Sequence, residues 1–178
     1  MNARRQPEHE FPSTAFAIQI ITGLLDACME ESGKEFTYSI VPETPPSDRS
    51  RRRVDLVVRA WTWGPGQRAE QFTLMHVEVK RHGATTAQVE DLENQIVTAC
   101  QATDQDLVYA MAFHGTSVRV WSYIKPYLVS MTGADFNDTS EKANWIDAQN
   151  VEGTSSVLGA VWEMVERPPK PLLQVKSG

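Results

Sequence analysis

Arg53-Val54-Asp55-Leu56-Val57-Val58 and His76-Val77-Glu78-Val79-Lys80-Arg81 decide how this chain is read. Each is a short, mostly apolar run rich in valine, the composition of a strand. Each also carries an ionised residue, which is costly inside an apolar run unless it meets a partner or a metal. Side chains two residues apart on a strand share a face. Glu78 and Lys80 therefore point the same way, with Leu74 and His76, while Met75, Val77 and Val79 point into a core. On the earlier strand Val54, Leu56 and Val58 form the apolar set, and Asp55 shares its face with Arg53 and Val57. Pairing the strands with these faces matched brings Asp55, Glu78 and Lys80 together. Two carboxylates and an ammonium are the parts of a magnesium-dependent phosphodiester-cleaving site.

The flanking sequence sets these strands in order. Ser13 and Thr14 can cap a helix running to about Ser32, with Phe16, Ile20, Leu24 and Ala27 at helical spacing as its core face and Gly33 as its stop. Phe36 to Val41 alternates as a first strand. Pro42, Pro45, Pro46, Ser47 and Ser50 read as a loop. The second strand covers about 53–61 and the third about 72–81, with Gly64-Pro65-Gly66 turning between them. A helix is predicted over about 87–102, capped by Thr86, with Val89, Leu92, Ile96 and Ala99 inward. Leu107 to Phe113 and Val118 to Ile124 read as strands joined by the turn His114-Gly115-Thr116. Tyr127 to Met131 reads as a further strand, and helices are predicted over about 140–148 and 155–166, the last ended by Pro168, Pro169 and Pro171. This order predicts an α/β sandwich with a central mixed sheet. The crossover helix sets the third and fourth strands side by side and parallel.

A chain of 178 residues is long enough for one domain with a core that needs no staples. The division expected is a flexible segment over 1–12, a single domain over 13–167 and a tail over 168–178. No apolar run approaches the roughly 18 residues of a membrane span, and Met1 to Pro12 has no apolar signal core. An intracellular protein of cytoplasm or nucleus, with no membrane partner, is the expectation. Cys28 and Cys100 fall in predicted helices, where a buried thiol is the ordinary state, and two isolated cysteines make no zinc pattern. The formal net charge of −6 argues against broad nonspecific nucleic-acid binding, which rests on phosphate neutralisation. Local charge can override it, and Arg49, Arg51, Arg52 and Arg53 form one basic run leading into Asp55. That run is either a solvated loop or a phosphate-steering patch.

At this point the residues resemble the PD-(D/E)xK nuclease superfamily, the restriction-endonuclease-like fold. The resemblance rests on Asp55, on the triplet Glu78-Val79-Lys80 and on a following helix that carries glutamines. It runs from the first helix through the fifth strand. Its acidic, aromatic-rich style is also similar to that of fungal members. The resemblance implies a three-layer sandwich with a central mixed β-sheet flanked by helices. It implies Mg2+ or Mn2+ held by Asp55, Glu78 and the Val79 carbonyl. Lys80 would orient and help deprotonate the attacking water. Gln95, or as second choice Gln88, would position water or phosphate, and Glu30 or Glu31 could add a first-helix carboxylate. Arg53 and His76 would touch the substrate, DNA or RNA. Val54 stands where the family name has proline, and Ala99 stands four residues after Gln95 where tyrosine would complete the accessory motif.

Simpler readings stand beside these. Glu78 and Lys80 could be an ion pair on a half-exposed strand, contributing about 0–1 kcal/mol. Asp55 could pair with Arg53 or Arg59, and Gln95 and His76 could be structural. His9, His82 and His114 have no metal-ligand spacing. Trp61, Trp63, Trp121, Trp145 and Trp162 are too scattered for a base-stacking platform and suit packing. No G-x-S-x-G elbow and no phosphate-binding glycine loop occurs. The alternative to a nuclease is a catalytically inactive nuclease-fold module for binding or assembly. A second copy, as a homodimer, or a partner protein would then be its companion.

Overall fold

Valine, isoleucine and aromatic residues crowd the runs that become strands. In the computed structural model, residues 11–34, 36–44, 54–63, 69–80, 83, 85–132 and 145–170 are described. Helix α1 (Phe11–Ser32) leads into β1 (Thr37–Thr44), β2 (Val54–Trp63) and β3 (Ala69–Lys80). Helix α2 (Thr86–Gln101) then crosses to β4 (Leu107–His114), β5 (Ser117–Ile124) and β6 (Tyr127–Ser130). A two-residue strand, β7 (Ile146–Asp147), and helix α3 (Val151–Glu166) follow. The strands form one mixed, open sheet in the order β1-β2-β3-β4-β5-β6, with β7 paired to β5. Among the described residues only β3 and β4 run parallel, as the α2 crossover requires; the other paired strands are antiparallel. No helix among the described residues is long and apolar enough to cross a membrane.

Both faces of the sheet are covered, which is why the central strands are apolar nearly throughout. Met75, Val77 and Val79 join Leu56, Val58, Met111 and Phe113 beneath α1 and α3. Val108, Ala110, Ala112, Trp121 and Tyr123 lie on the other face, against Leu92, Ile96 and Cys100 of α2. The expected alternation on β3 therefore stands from Met75 to Lys80. It breaks at Leu74, which joins the α1 side instead of the Glu78 side. The cause is a β-bulge. The register passes from Val58↔Met75 to Arg59↔Thr73 and leaves Leu74 with no partner residue on β2.

Gln105 repairs the neighbouring edge of β3. Its side-chain oxygen accepts from the Thr73 N–H at 2.7 Å, and its amide nitrogen donates to the Thr73 carbonyl at 2.8 Å and the Leu107 carbonyl at 3.1 Å. A buried side-chain amide thus stands in for a strand residue just before β4 begins.

Several expected boundaries shift. Helix α1 starts at Phe11, so its first turn takes in the last two residues of the segment expected to be flexible; the rest of that segment, and 171–178 of the expected tail, lie outside the described residues. The buried stripe of α1 is Ala17, Ile21, Leu25 and Cys28, one residue on from the predicted one. Phe16, Ile20 and Leu24 pack at its margin and Ala27 is exposed, because the helix is wedged between the sheet and α3. Gly33 ends α1 with φ of +67°, the conformation only glycine adopts without strain. The cap of α2 is Thr85, not Thr86, with Gln88 closing a capping box. Of the helix predicted over 140–148, residues 140–144 lie outside the described residues and the rest is corrected: Ile146 and Asp147 pair with Val118 and Ser117. Asn150 then caps α3, so that helix starts four residues before the predicted Ser155.

Removing the Gln105 amide leaves three backbone groups without their partner. At about 1–3 kcal/mol for a buried unsatisfied group, and with some relaxation, Gln105→Ala is expected to lose about 2–4 kcal/mol, read as a lower urea midpoint with unchanged slope.

Candidate functional site

The register of β2 on β3, Leu56↔Val77 and Val57↔His76, carries Asp55 to the position opposite Glu78. On the other side Glu78 pairs with Ala112, and Ala112 with Arg119. One row across the α2-facing side thus reads Asp55, Glu78, Ala112, Arg119. The row below reads Val57, His76, Ala110, Trp121. Lys80 stands in the row above, opposite His114. The alanines leave room for α2 to lie close over the sheet.

Asp55 and Glu78 form the centre. Asp55 is half-buried, and its Oδ2 accepts from the Val79 N–H at 2.7 Å. That bond holds its carboxylate against β3; Arg53, one of the two arginines considered as its partner, lies outside the described residues. Glu78 is 1% exposed, and its Oε1 has no hydrogen-bond partner. Burial pushes the Glu78 carboxyl up to about 9, and the charge of Asp55 and a side-chain hydrogen bond to it push the same way. Lys80 pulls it down by less, and Asp91 adds a further upward push. The half-exposed surface ion pair considered for Glu78 and Lys80 is therefore not what forms: Glu78 is buried and, without a cation, protonated at neutral pH.

Helix α2 covers this centre, and its height can be read from one contact. Ala99 packs on Val57 of β2. α2 runs in the same direction as β2, since it returns antiparallel to β3. Stepping back two residues on β2 to Asp55, or four on α2 to Gln95, climbs about 6–7 Å in either case. Gln95 is thus level with Asp55 and Glu78. Asp91 lies one turn further on, level with Lys80. Gln95 Nε2 donates to Asp91 Oδ2 at 2.7 Å. Gln88 belongs to the cap instead, where its side-chain oxygen accepts from the Thr85 N–H at 2.9 Å. Glu30 and Glu31 are exposed on α1, which packs on the opposite face, and neither is brought to Glu78.

His76, the expected substrate contact, lies in the interior between the sheet and α2. Its side chain is fully buried, its two ring nitrogens have no hydrogen-bond partner, and burial lowers it to about 4. The neutral ring is the form that this burial favours. Cys28 and Cys100 are buried free thiols, with burial pushing Cys100 up to about 12.

Sequence spacing gave no sign of a second cluster. Arg119 pairs with Glu93 of α2 and lies over the rings of Trp121, at 4.9 Å, and Trp145, at 5.9 Å. His114 meets Trp145 edge-on at 6.0 Å. Trp121 and Trp145 lie far apart in the chain, and only the β5–β7 pairing brings them to one guanidinium. The cluster ties α2 to β5 on the flank away from Asp55.

Among the described residues no group of three or more His, Cys, Asp and Glu side chains is placed to hold a metal ion. The pair Asp55 and Glu78 nonetheless fits a hard divalent cation: two carboxyl groups side by side, one with a buried unpartnered oxygen. Magnesium retains several waters and asks for only one or two carboxylates. The chain matches no family model, and no curated protein and no solved structure matches it.

The raised carboxyl makes a pH prediction. Glu78 holds a proton in the folded state between its ordinary value, near pH 4.5, and about 9, where the unfolded chain does not. Folding stability from this group is therefore present below that window and lost as pH rises through it, with a slope of up to about 1.4 kcal/mol per pH unit. Glu78→Gln is expected to remove that slope in metal-free protein, measured by urea unfolding from pH 5 to 9.

Proposed function

We propose that the chain is a metal-dependent nuclease of the PD-(D/E)xK type, hydrolysing phosphodiester bonds in DNA or RNA. The observation that carries this reading is Asp55 set against Glu78 on adjacent strands, with Lys80 two residues on and the buried Glu78 oxygen lacking a partner. The element order supports the finer, restriction-endonuclease-like fold: a helix, an antiparallel three-strand meander, a crossover helix and a parallel strand. A bound Mg2+ or Mn2+ would supply Lewis acidity and a water of lowered pKa.

The chain's own residues then have distinct tasks. Asp55 and Glu78 would hold the cation, with the Val79 carbonyl as the backbone ligand that the resemblance implies. Glu78 would have to give up its proton for a cation to bind there, which would make affinity rise with pH. Lys80 orients the attacking water and offsets the charge that builds on the phosphate oxygens. Gln95, level with the carboxylates, positions water or phosphate. Nucleic acid would reach the site from the end of β3 where Lys80 stands, the chain's net charge of −6 being offset there by the cation and Lys80.

A second reading, an inactive nuclease-fold module that binds a partner protein or a second copy, is favoured by two observations. Glu78 is almost fully buried, and no third metal-binding side chain stands beside it among the described residues. The two readings separate on cleavage. Linear, circular and single-stranded DNA and RNA are incubated with wild type, Asp55→Asn and Lys80→Ala in Mg2+ or Mn2+. The nuclease reading expects wild-type cleavage that Asp55→Asn abolishes and Lys80→Ala slows by about 10²–10⁴-fold, the range for lost acid–base assistance. No cleavage by wild type, or equal cleavage by all three, rejects it.

A further inference from the structure

We infer that Asp91, held in place by Gln95, is a third carboxylate of this site, accepting hydrogen bonds from water on the bound cation. The inference rests on the reading that Asp55 and Glu78 hold a cation. It brings in Asp91, which spacing did not single out, and it gives Gln95 a different task, that of a positioning residue.

The geometry comes from α2. Asp91, Gln95 and Ala99 recur every fourth residue and form one stripe of the helix. Ala99 is seated on Val57, so this stripe lies over the Asp55 side of the sheet. The neighbouring stripe, Leu92, Ile96 and Cys100, packs over Ala110, Ala112 and Trp121. The Glu93 pairing with Arg119 ties the far flank to β5, so the helix is set against rolling about its axis. Gln95 then meets Asp91 through a 2.7 Å hydrogen bond that engages Oδ2.

A further observation points to a ligand between α2 and β3. Glu78 Oε1 is buried without a partner, and a buried polar atom in that state calls for a water or an ion. Yet no third side chain is placed to ligate directly among the described residues. A carboxylate one helical turn above the pair reaches the cation through the waters that magnesium and manganese retain. Partners of this outer kind contribute about 10–100-fold in metal affinity.

The test is Mn2+ binding to the full chain by calorimetry, for wild type, Asp55→Asn, Asp91→Asn, Gln95→Ala and the double variant Asp91→Asn/Gln95→Ala. Glu152→Gln, an exposed change on α3, controls for the loss of one negative charge. Asp91→Asn is expected to weaken Mn2+ about tenfold. Gln95→Ala, which removes no charge, is expected to weaken it by a smaller factor. That factor should vanish in the double variant, because Gln95 acts through Asp91. Wild-type affinity in Asp91→Asn, with binding lost in Asp55→Asn, overturns the inference and leaves the nuclease reading standing. Equal losses in Asp91→Asn and Glu152→Gln overturn it as well, as mere charge. A wild type that binds no Mn2+ overturns both.

Discussion

A carboxyl group enclosed between two paired strands and a helix has three ways to exist: neutral, paired, or bound to a cation. Glu78 is in that situation at 1% exposure. The surroundings offer it no complete ion pair. Asp55 stands opposite and drives it toward the protonated form, and the pull of Lys80 is the smaller effect. Desolvation dominates because the sheet is covered on both faces there, so solvent screens little of the Asp55 charge. The proton that keeps the metal-free pair stable is the same proton a divalent cation would displace. Under the proposed function, stability and cation binding would therefore draw on one group with opposite demands.

Helix α2 is what encloses that group. Its crossover makes β3 and β4 parallel neighbours and puts Glu78 in the interior of the sheet rather than at an edge. Ala110 and Ala112 are small where α2 passes, so Leu92 and Ile96 can fill the gap. The helix is then held on two flanks by unlike means. Toward β2 the contact is Ala99 on Val57, with Gln95 and Asp91 further along. Toward β5 it is the Arg119 guanidinium, paired with Glu93 and lying against two indole rings, which suit a planar, weakly hydrated cation. Movement of α2 would change the access and the charge balance at Glu78 together.

Much of the centre was legible in local sequence. Alternation over Met75 to Lys80 set Glu78 and Lys80 on one face. An apolar run of matching phase placed Asp55 with them, and a crossover length between the third and fourth strands made those strands parallel. Where the reading slipped, a neighbour decided. The α1 stripe moved by one residue because α3 packs against the same helix. Leu74 changed sides because a bulge interrupts the pleat, which no composition signal near Leu74 announces. The segment around Ile146 became strand because β5 had an edge to pair with, although its local pattern also suits a helix.

The sequence by itself determined the element order from α1 through β6, the mixed sheet and the candidate trio Asp55, Glu78 and Lys80, because strand and helix periods are local properties of side-chain spacing. Only the tertiary structure decided how those groups behave. It buried Glu78 and His76, committed Gln88 to a cap, tied Gln95 to Asp91 and gathered Arg119 with Glu93, Trp121 and Trp145. These outcomes depend on which surfaces lose water and which distant charges meet, and neither desolvation nor a long-range contact is written in the spacing of residues along one strand or one helix.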